Sequence, residues 1–346
     1  MEILKKEGEK ILVIQTAFLG DAVLTLPMIR KLKERNAGAS IDVLCIPASE
    51  EIFRLSSYIN EIIIIDKKGG HKSFFSFLKF TRQIRAKKYD RIYSQHRSFR
   101  TSLLVLQSGV KETYGFSNSS LFHVYKYLIE YIPGHHEVQR NLDLIGYDYS
   151  EKGWKVLPGI RIPESADRAA KDFIKRNNIN SKFAAIAPGS IWNTKRYPLE
   201  YYEQVIQYLI AKDYKVVIIG GKDENDIGKQ LEAKFNGNTF SSAGHLSITE
   251  SIALLKYSKI LISNDSAPTH LGVCADIPVL TLYCSTVPDF GFYPYNNKSR
   301  WLSYADLECK PCGIHGYYKC PLKHFQCGYM LESRLVISAI KEILND

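Results

Sequence analysis

Short, almost wholly apolar runs recur along the chain: KILVI at 10–14, IDVLCI at 41–46, EIIIID at 61–66, RIYS at 91–94, FAAIA at 183–187 and KVVII at 215–219. Such runs predict strands buried on both faces, as in a parallel sheet; half-buried strands would alternate apolar and polar residues instead. Between them, apolar residues at helical spacing predict helices over 22–34, 49–57, 165–177, 199–212 and 248–257, and a helix in the basic stretch after residue 71. Regular alternation of strand and helix predicts an α/β protein of doubly wound, Rossmann-like units. A polar stretch at 147–164, with Pro158 and Pro163, interrupts the pattern and reads as a linker. Two domains follow, 1–155 and 156–346.

In a doubly wound sheet, ligands gather at the carboxyl ends of strands, so the turns after each run matter most. The first turn, QTAFLGD, places Asp21 after Gly20 at a helix start, where a carboxylate either caps the helix or serves as a base. The run at 91–94 ends in Gln95, His96 and Arg97, polar groups suited to an acceptor, and His136 and Arg140 stand near the crossover to the second domain. In that domain, the loop 188–198 carries Ser190, Thr194 and Lys195, hydroxyls and an ammonium fit for a diphosphate, without Walker A spacing. The turn after 215–219 offers Asp223 for ribose hydroxyls, and Leu246 offers a backbone edge to a base. The stretch LISNDSAPTHLGVCADIPVLTLYCS, 261–285, reads as strand, turn, helix and strand, with Asp265 and Ser266 as helix caps or ligands. Three small polar loops converging in one crevice outweigh their separate capping readings.

Composition narrows the class. The 346 residues, 45% hydrophobic, can bury a sizeable core. No run reaches the roughly eighteen apolar residues of a membrane span, and the opening MEILKKEGEK lacks a signal peptide's apolar core, so a cytoplasmic protein is expected. The net charge of +10 is concentrated between Lys67 and Arg100, where eleven Lys or Arg face one acid, Asp90. That block, interleaved with Phe74, Phe75, Phe77 and Phe80, suggests an anionic partner such as a membrane surface. Of seven cysteines, Cys309, Cys312, Cys320 and Cys327 cluster near the end, a spacing that admits a structural zinc or reduced thiols.

With these residues in place, the chain resembles glycosyltransferase family 9, the lipopolysaccharide heptosyltransferases. ILVIQTAFLGDAVLTLPMIRKLK is similar to the family's opening strand and Gly-Asp motif, PGSIWNTKRYP to its phosphate loop, and SNDSAPTHLGVCADIP to its nucleotide turn. The resemblance implies a GT-B architecture, two Rossmann-like domains facing across a cleft. It also implies Asp21 as general base, Ser190 and Lys195 on the donor diphosphate, and Asp265, Ser266, Ala267 and His270 around the nucleotide. The implied reaction is inverting, metal-independent transfer of heptose from ADP-heptose to Kdo or heptose on a lipid-linked, anionic core acceptor, at the inner face of the bacterial inner membrane. No cofactor is required. Two rivals keep the fold, a glycosyltransferase using another nucleotide sugar and a nucleotide-sugar epimerase. A third, a zinc-containing basic nucleic-acid-binding protein, accounts for the charge and cysteines and leaves the loops unused.

Overall fold

A computed structural model describes residues 8–345, so most of the opening stretch whose lack of an apolar core was noted above lies outside the described residues. The chain divides into two compact units, Met1–Arg161 and Ile162–Asp346. The break lies inside the expected linker but later than 155, because the linker's first part is tied to the first unit. Arg161 donates its N–H to the Leu55 carbonyl at 2.8 Å, and Trp154 stacks on His136 with ring centroids 4.8 Å apart.

The first unit is a parallel sheet of β1 (Lys10–Ile14), β2 (Ser40–Cys45), β3 (Glu61–Ile64), β4 (Arg91–Ser94), β5 (Glu112–Phe116) and β6 (Tyr127–Ile129), in the order β3-β2-β1-β4-β5-β6. Its helices are α1 (Leu19–Arg35), α2 (Glu50–Arg54), α3 (Phe74–Ala86), α4 (Phe99–Ser108) and α5 (Glu137–Leu144). The second unit repeats the plan with β7 (Phe183–Ala187), β8 (Lys215–Ile218), β9 (Thr239–Ser241), β10 (Leu261–Asn264), β11 (Val279–Tyr283) and β12 (Arg300–Ser303), ordered β12-β11-β10-β7-β8-β9. Its helices are α6 (Glu164–Arg176), α7 (Leu199–Ala211), α8 (Asn225–Lys234), α9 (Ile248–Leu255), α10 (Ala267–Cys274), α11 (Gln326–Tyr329) and α12 (Ser333–Leu344). Both sheets thus have the Rossmann order, with the strand sequence reversing between β1 and β4 and again between β7 and β10.

Apolar burial holds each unit together. In the first, Leu12, Ile14, Leu44 and Ile92 of the sheet pack on Phe77, Phe80 and Ile84 of α3 and on Leu104 and Val105 of α4. In the second, Ile186, Val216, Ile218, Ile262, Leu280 and Leu282 meet Tyr202, Val205 and Leu209 of α7 and Val336 and Ile340 of α12. Each such side chain contributes about 1.5–3 kcal/mol on leaving water. Against that background the polar loops at the strand ends need not stabilise the fold and are free to bind.

Candidate active site

Asp21 sits in the first turn of α1, which begins at Leu19, three residues ahead of the expected Ala22. Its Oδ2 accepts the N–H of Phe18 at 3.2 Å, and its carbonyl accepts the Thr25 hydroxyl at 2.8 Å. Gln15 ties the same turn down, accepting from the Ala17 N–H at 3.1 Å and donating to Thr25 at 3.2 Å. The capping and functional readings are therefore compatible, since one carboxyl can do both. The side chain is only half-buried by area, yet the groups packed round it strip water from the carboxyl. Burial pushes its pKa up to about 7, helped by the nearby Glu137 charge and opposed by backbone hydrogen bonds and Arg97. A carboxylate poised there accepts protons near neutrality.

The expected acceptor residues divide. Arg97 lies within electrostatic reach of Asp21 and stacks over the Tyr131 ring, 4.0 Å from its centroid. Arg140 stacks on the same ring at 4.3 Å, but it is buried, pairs with Glu137 at 3.0 Å and donates to the Ile132 carbonyl. Its guanidinium is committed to the fold and acts on the site through Glu137, so the expectation of direct acceptor contact is corrected. His136 is corrected likewise: fully buried, it caps α5 by accepting the Val138 N–H at its Nδ1, 3.2 Å away. Gln95 is also buried, donating to the Met28 sulfur at 3.1 Å, while its Oε1 has no hydrogen-bond partner.

Beside this turn lies a cationic pocket that sequence reasoning passed over. Thr16, Lys67, Arg100 and Thr101 line it above a floor of Ile14, Leu44, Ile65 and Leu104. Lys67 donates to the Thr16 hydroxyl at 2.8 Å, and His96 Nδ1 lies within 3.0 Å of Thr16 and 2.8 Å of Thr101. Burial, with Arg100 adding, drives the Lys67 pKa down to about 8. Burial, then Lys67 and Arg97, drives His96 to about 4, so it is neutral. Among the described residues, neither Lys67 nor Arg100 forms an ion pair with a carboxylate. A desolvated ammonium beside a guanidinium favours an anion there. The rule that singled out Gln95, position at a strand's carboxyl end, applies equally to Lys67 after β3.

In the second unit, Asn264 pins the two loops of the strand-order reversal together. Its Nδ2 donates to the carbonyls of Pro188 and Gly189, at 2.8 and 3.1 Å. Its Oδ1 accepts from the Tyr197 N–H and the Tyr202 hydroxyl, both at 3.0 Å. Lys195 and Asp265 are thereby brought to 2.6 Å, and Thr286 donates to Asp265 at 2.7 Å. Neither Asp265 nor Ser266 caps α10: Ser266 occupies the N-cap without a side-chain bond to the helix, and its hydroxyl lies nearest the Asn264 carbonyl. The helix thus begins with no side-chain cap at the Ala267 N–H; Pro268 has no N–H, and the Thr269 N–H is taken by the Ser266 carbonyl at 3.1 Å. His270 is buried and held neutral, its pKa near 4 through burial and Lys195 against the pull of Asp265. Its Nδ1 and the buried Ser285 hydroxyl oxygen have no hydrogen-bond partner. The Ala267 N–H, an ammonium and unpartnered polar atoms together suit an anion and a nucleotide.

Other expectations shift in detail. Asp223 is exposed, whereas Glu224 next to it accepts the Gly221 N–H at 2.9 Å and packs so closely on Gly189 that an added Cβ there would lie 2.2 Å from its Cγ. The acid turned toward the phosphate loop is Glu224. Leu246 is half-buried in the turn before α9, downstream of Gly244, whose N–H reaches the Gly220 carbonyl at 3.1 Å. Ser190 is buried and accepts the Trp192 N–H. Thr194 is spoken for: its hydroxyl is bonded to the Tyr317 carbonyl at 3.0 Å and N–H at 2.8 Å, with the Thr194 N–H on the same carbonyl. The segment 315–318 is thus a strap on the phosphate loop, with Trp192 packed against Tyr318 at 4.9 Å. Its sequence carried no signal beyond the neighbouring cysteines.

All seven cysteines are free thiols, and among the described residues no group of three or more His, Cys, Asp or Glu is placed to hold a metal ion. Cys309, Cys312, Cys320 and Cys327 therefore do not fit the expected zinc. Cys327 faces the core of the second unit, where burial lifts its thiol to about 11. No helix of the described residues is long and apolar enough to cross a membrane.

Two Rossmann-like units, each with polar groups gathered where its strand order reverses, are the architecture of the GT-B class. The chain matches the family description "Glycosyltransferase family 9 (heptosyltransferase)" over residues 77–320, and it belongs to that family. It is 24% identical over 317 residues to lipopolysaccharide heptosyltransferase 2 of Salmonella typhimurium, covering 84% of this chain and 87% of that one. Its fold is similar to the family 9 glycosyltransferase structure from Veillonella parvula, with TM-score 0.82, 23% identity and coverage of 99% and 98%. It is also similar to the E. coli heptosyltransferase WaaC solved with ADP-2-deoxy-2-fluoro heptose, with TM-score 0.72, 18% identity and coverage of 96% and 99%. The chain is an enzyme of lipopolysaccharide biosynthesis, a glycosyltransferase of the heptosyltransferase family.

Proposed function

We propose that this enzyme moves heptose from ADP-heptose to a Kdo or heptose of a lipid-linked lipopolysaccharide core, with inversion. The observation that carries the reading is the Asp21 carboxyl, held near pKa 7 at the strand-order reversal of the first unit. In this reading Asp21 takes the proton of the acceptor hydroxyl as that oxygen bonds to the anomeric carbon. The bond from that carbon to the β-phosphate oxygen breaks, and ADP departs with its electron pair. Charge gathers on the diphosphate, where Lys195, Ser190 and the Ala267 N–H at the start of α10 stabilise it. These cationic and N–H donors do the work a metal would otherwise do, so no metal or other cofactor is invoked. Glu224 takes the ribose hydroxyls in place of Asp223. Leu246, Ser266 and the neutral His270 line the nucleoside.

The ADP-heptose assignment is supported by the analogue bound in the WaaC structure. The acceptor's anionic groups fit Lys67, Arg97 and Arg100, three cations that the described structure leaves without carboxylate partners. A lipid-linked acceptor places the reaction at the cytoplasmic face of the inner membrane, with the basic segment 67–100 toward that surface and no nucleic acid involved. Asp21→Asn tests the base: transfer should fall by about 10²–10⁴-fold, the usual contribution of a general base, with ADP affinity unchanged. Near-normal turnover of that variant sinks the reading.

A further inference from the structure

Five phenylalanines are exposed among the described residues: Phe18, Phe74, Phe75, Phe99 and Phe122. All five belong to the first unit, and each follows the carboxyl end of a strand: Phe18 after β1, Phe74 and Phe75 after β3, Phe99 after β4 and Phe122 after β5. They therefore rim the edge that carries Asp21 and the cationic pocket. The apolar face of α3 is already satisfied, because Phe77, Phe80 and Ile84 are buried in the core, while Phe74 and Phe75 stand 63% and 82% exposed. Exposed aromatic rings gathered on one edge mark a binding surface.

Charge identifies what covers it. Lys67, Lys68, Lys72, Arg97 and Arg100 lie on the same edge, and none forms an ion pair among the described residues. The neighbouring Asp66 carboxylate is occupied by the N–H groups of Lys68, Gly69 and Gly70. Aromatic rings interleaved with unpaired cations fit the headgroup region of an anionic bilayer, where rings enter the interface and cations meet lipid phosphates. A second copy of a chain carrying +10 would set one basic edge against another.

We propose that the carboxyl edge of the first sheet docks on an anionic membrane, with Phe74 and Phe75 as the inserting wedge, so that the acceptor reaches Asp21 while its acyl chains stay in the bilayer. This rests on the lipid-acceptor reading above. It is tested by co-sedimentation with phosphatidylcholine vesicles, with and without one-third phosphatidylglycerol. The wild-type chain should bind the anionic vesicles preferentially. The double variant Phe74→Ser/Phe75→Ser should lose at least about tenfold in partitioning, since removing one such ring from water is worth a factor of that order. Leu106→Ser, which removes an exposed side chain on the body of α4, should bind as wild type does, and all three proteins should melt together. Unchanged vesicle binding by the double variant overturns the proposal, as does loss of self-association by that variant in the absence of vesicles. Transfer to an acyl-free acceptor separates the two readings: the double variant should match wild type there. If wild type itself shows no such transfer, the reaction reading fails while the vesicle result still decides the docking face.

Discussion

Lys195 and Asp265 meet at 2.6 Å with both side chains largely buried, joining the loop after β7 to the loop after β10. In the reading proposed above, the carboxylate holds the ammonium where a diphosphate oxygen would arrive. Asn264, at the end of β10 and bonded to Pro188 and Tyr197 of the loop after β7, fixes the separation. The pair is thus a pre-set cation, and its cost in rotamer entropy is met before the donor binds.

Removing that cation should weaken ADP binding far more than it weakens folding. Lys195→Met is expected to raise the ADP Kd by about 10–100-fold, the range of one charge-assisted hydrogen bond. Lys195→Arg should restore little, because a planar fork does not reproduce a point charge in this geometry. Isothermal calorimetry decides it, and an unchanged Kd for Lys195→Met would remove Lys195 from the donor site.

The pH profile tests Asp21. Its carboxyl must be ionised to act as a base, so kcat/KM should fall on the acid side of about 7. Arg97 favours the charged form, so Arg97→Gln should move that limb to higher pH. Linkage gives a second readout. The folded pKa lies above the ordinary value of 3.8, so burying the charged form costs stability, absent below about pH 4 and complete above about pH 7. Asp21→Asn should therefore melt with wild type at pH 4 and above it at pH 8. A limb that ignores Arg97→Gln, or a melting gap that closes as pH rises, contradicts the assignment.

How much of this was legible can be read from particular residues. KILVI, RIYS and FAAIA announced β1, β4 and β7 to the residue because strands inside a parallel sheet are apolar on both faces. Of the four edge strands, β3 showed in EIIIID because it is almost wholly apolar, whereas β6, β9 and β12, four residues at most, are too mixed to show a pattern. Asp21, Lys195 and Asp265 could be singled out because position at a strand end is a sequence property. Arg140 and His136 misled because burial is not: the same residue type serves a ligand or a cap according to its packing. That Glu224 and not Asp223 packs on Gly189 was not legible, because two successive acids in one turn are indistinguishable until the backbone direction is known.

The strap over the phosphate loop gives a prediction no motif contained. Gly316 has φ +77°, and a Cβ there would lie 2.8 Å from the Ser285 hydroxyl and 2.9 Å from that of Thr194. Gly316→Ala should therefore push the strap off Thr194, costing about 1–2 kcal/mol in left-handed strain alone, and should weaken ADP binding. Tyr317→Phe keeps the backbone bonds to Thr194 and should bind ADP normally. Equal affinities for wild type and Gly316→Ala would show that the strap does not order the loop.

Thiol reactivity separates the cysteines by environment. Burial resists ionisation at Cys320, but the backbone N–H groups of Phe325, Leu322, His324 and Lys323 overcome it and bring the thiol below its usual value. Burial dominates at Cys45 and Cys327, pushing them up to about 12 and about 11. Because the thiolate is the nucleophile, Cys320 should be alkylated by iodoacetamide first at pH 7, well ahead of Cys45 and Cys327. Peptide mapping over a time course reads the order directly. The thiol lies three residues after Tyr317, in the same segment as the strap, so its modification should weaken ADP binding in step with labelling. Modification that is complete while ADP affinity holds would confine the thiol's environment to a local effect with no consequence for the donor loop.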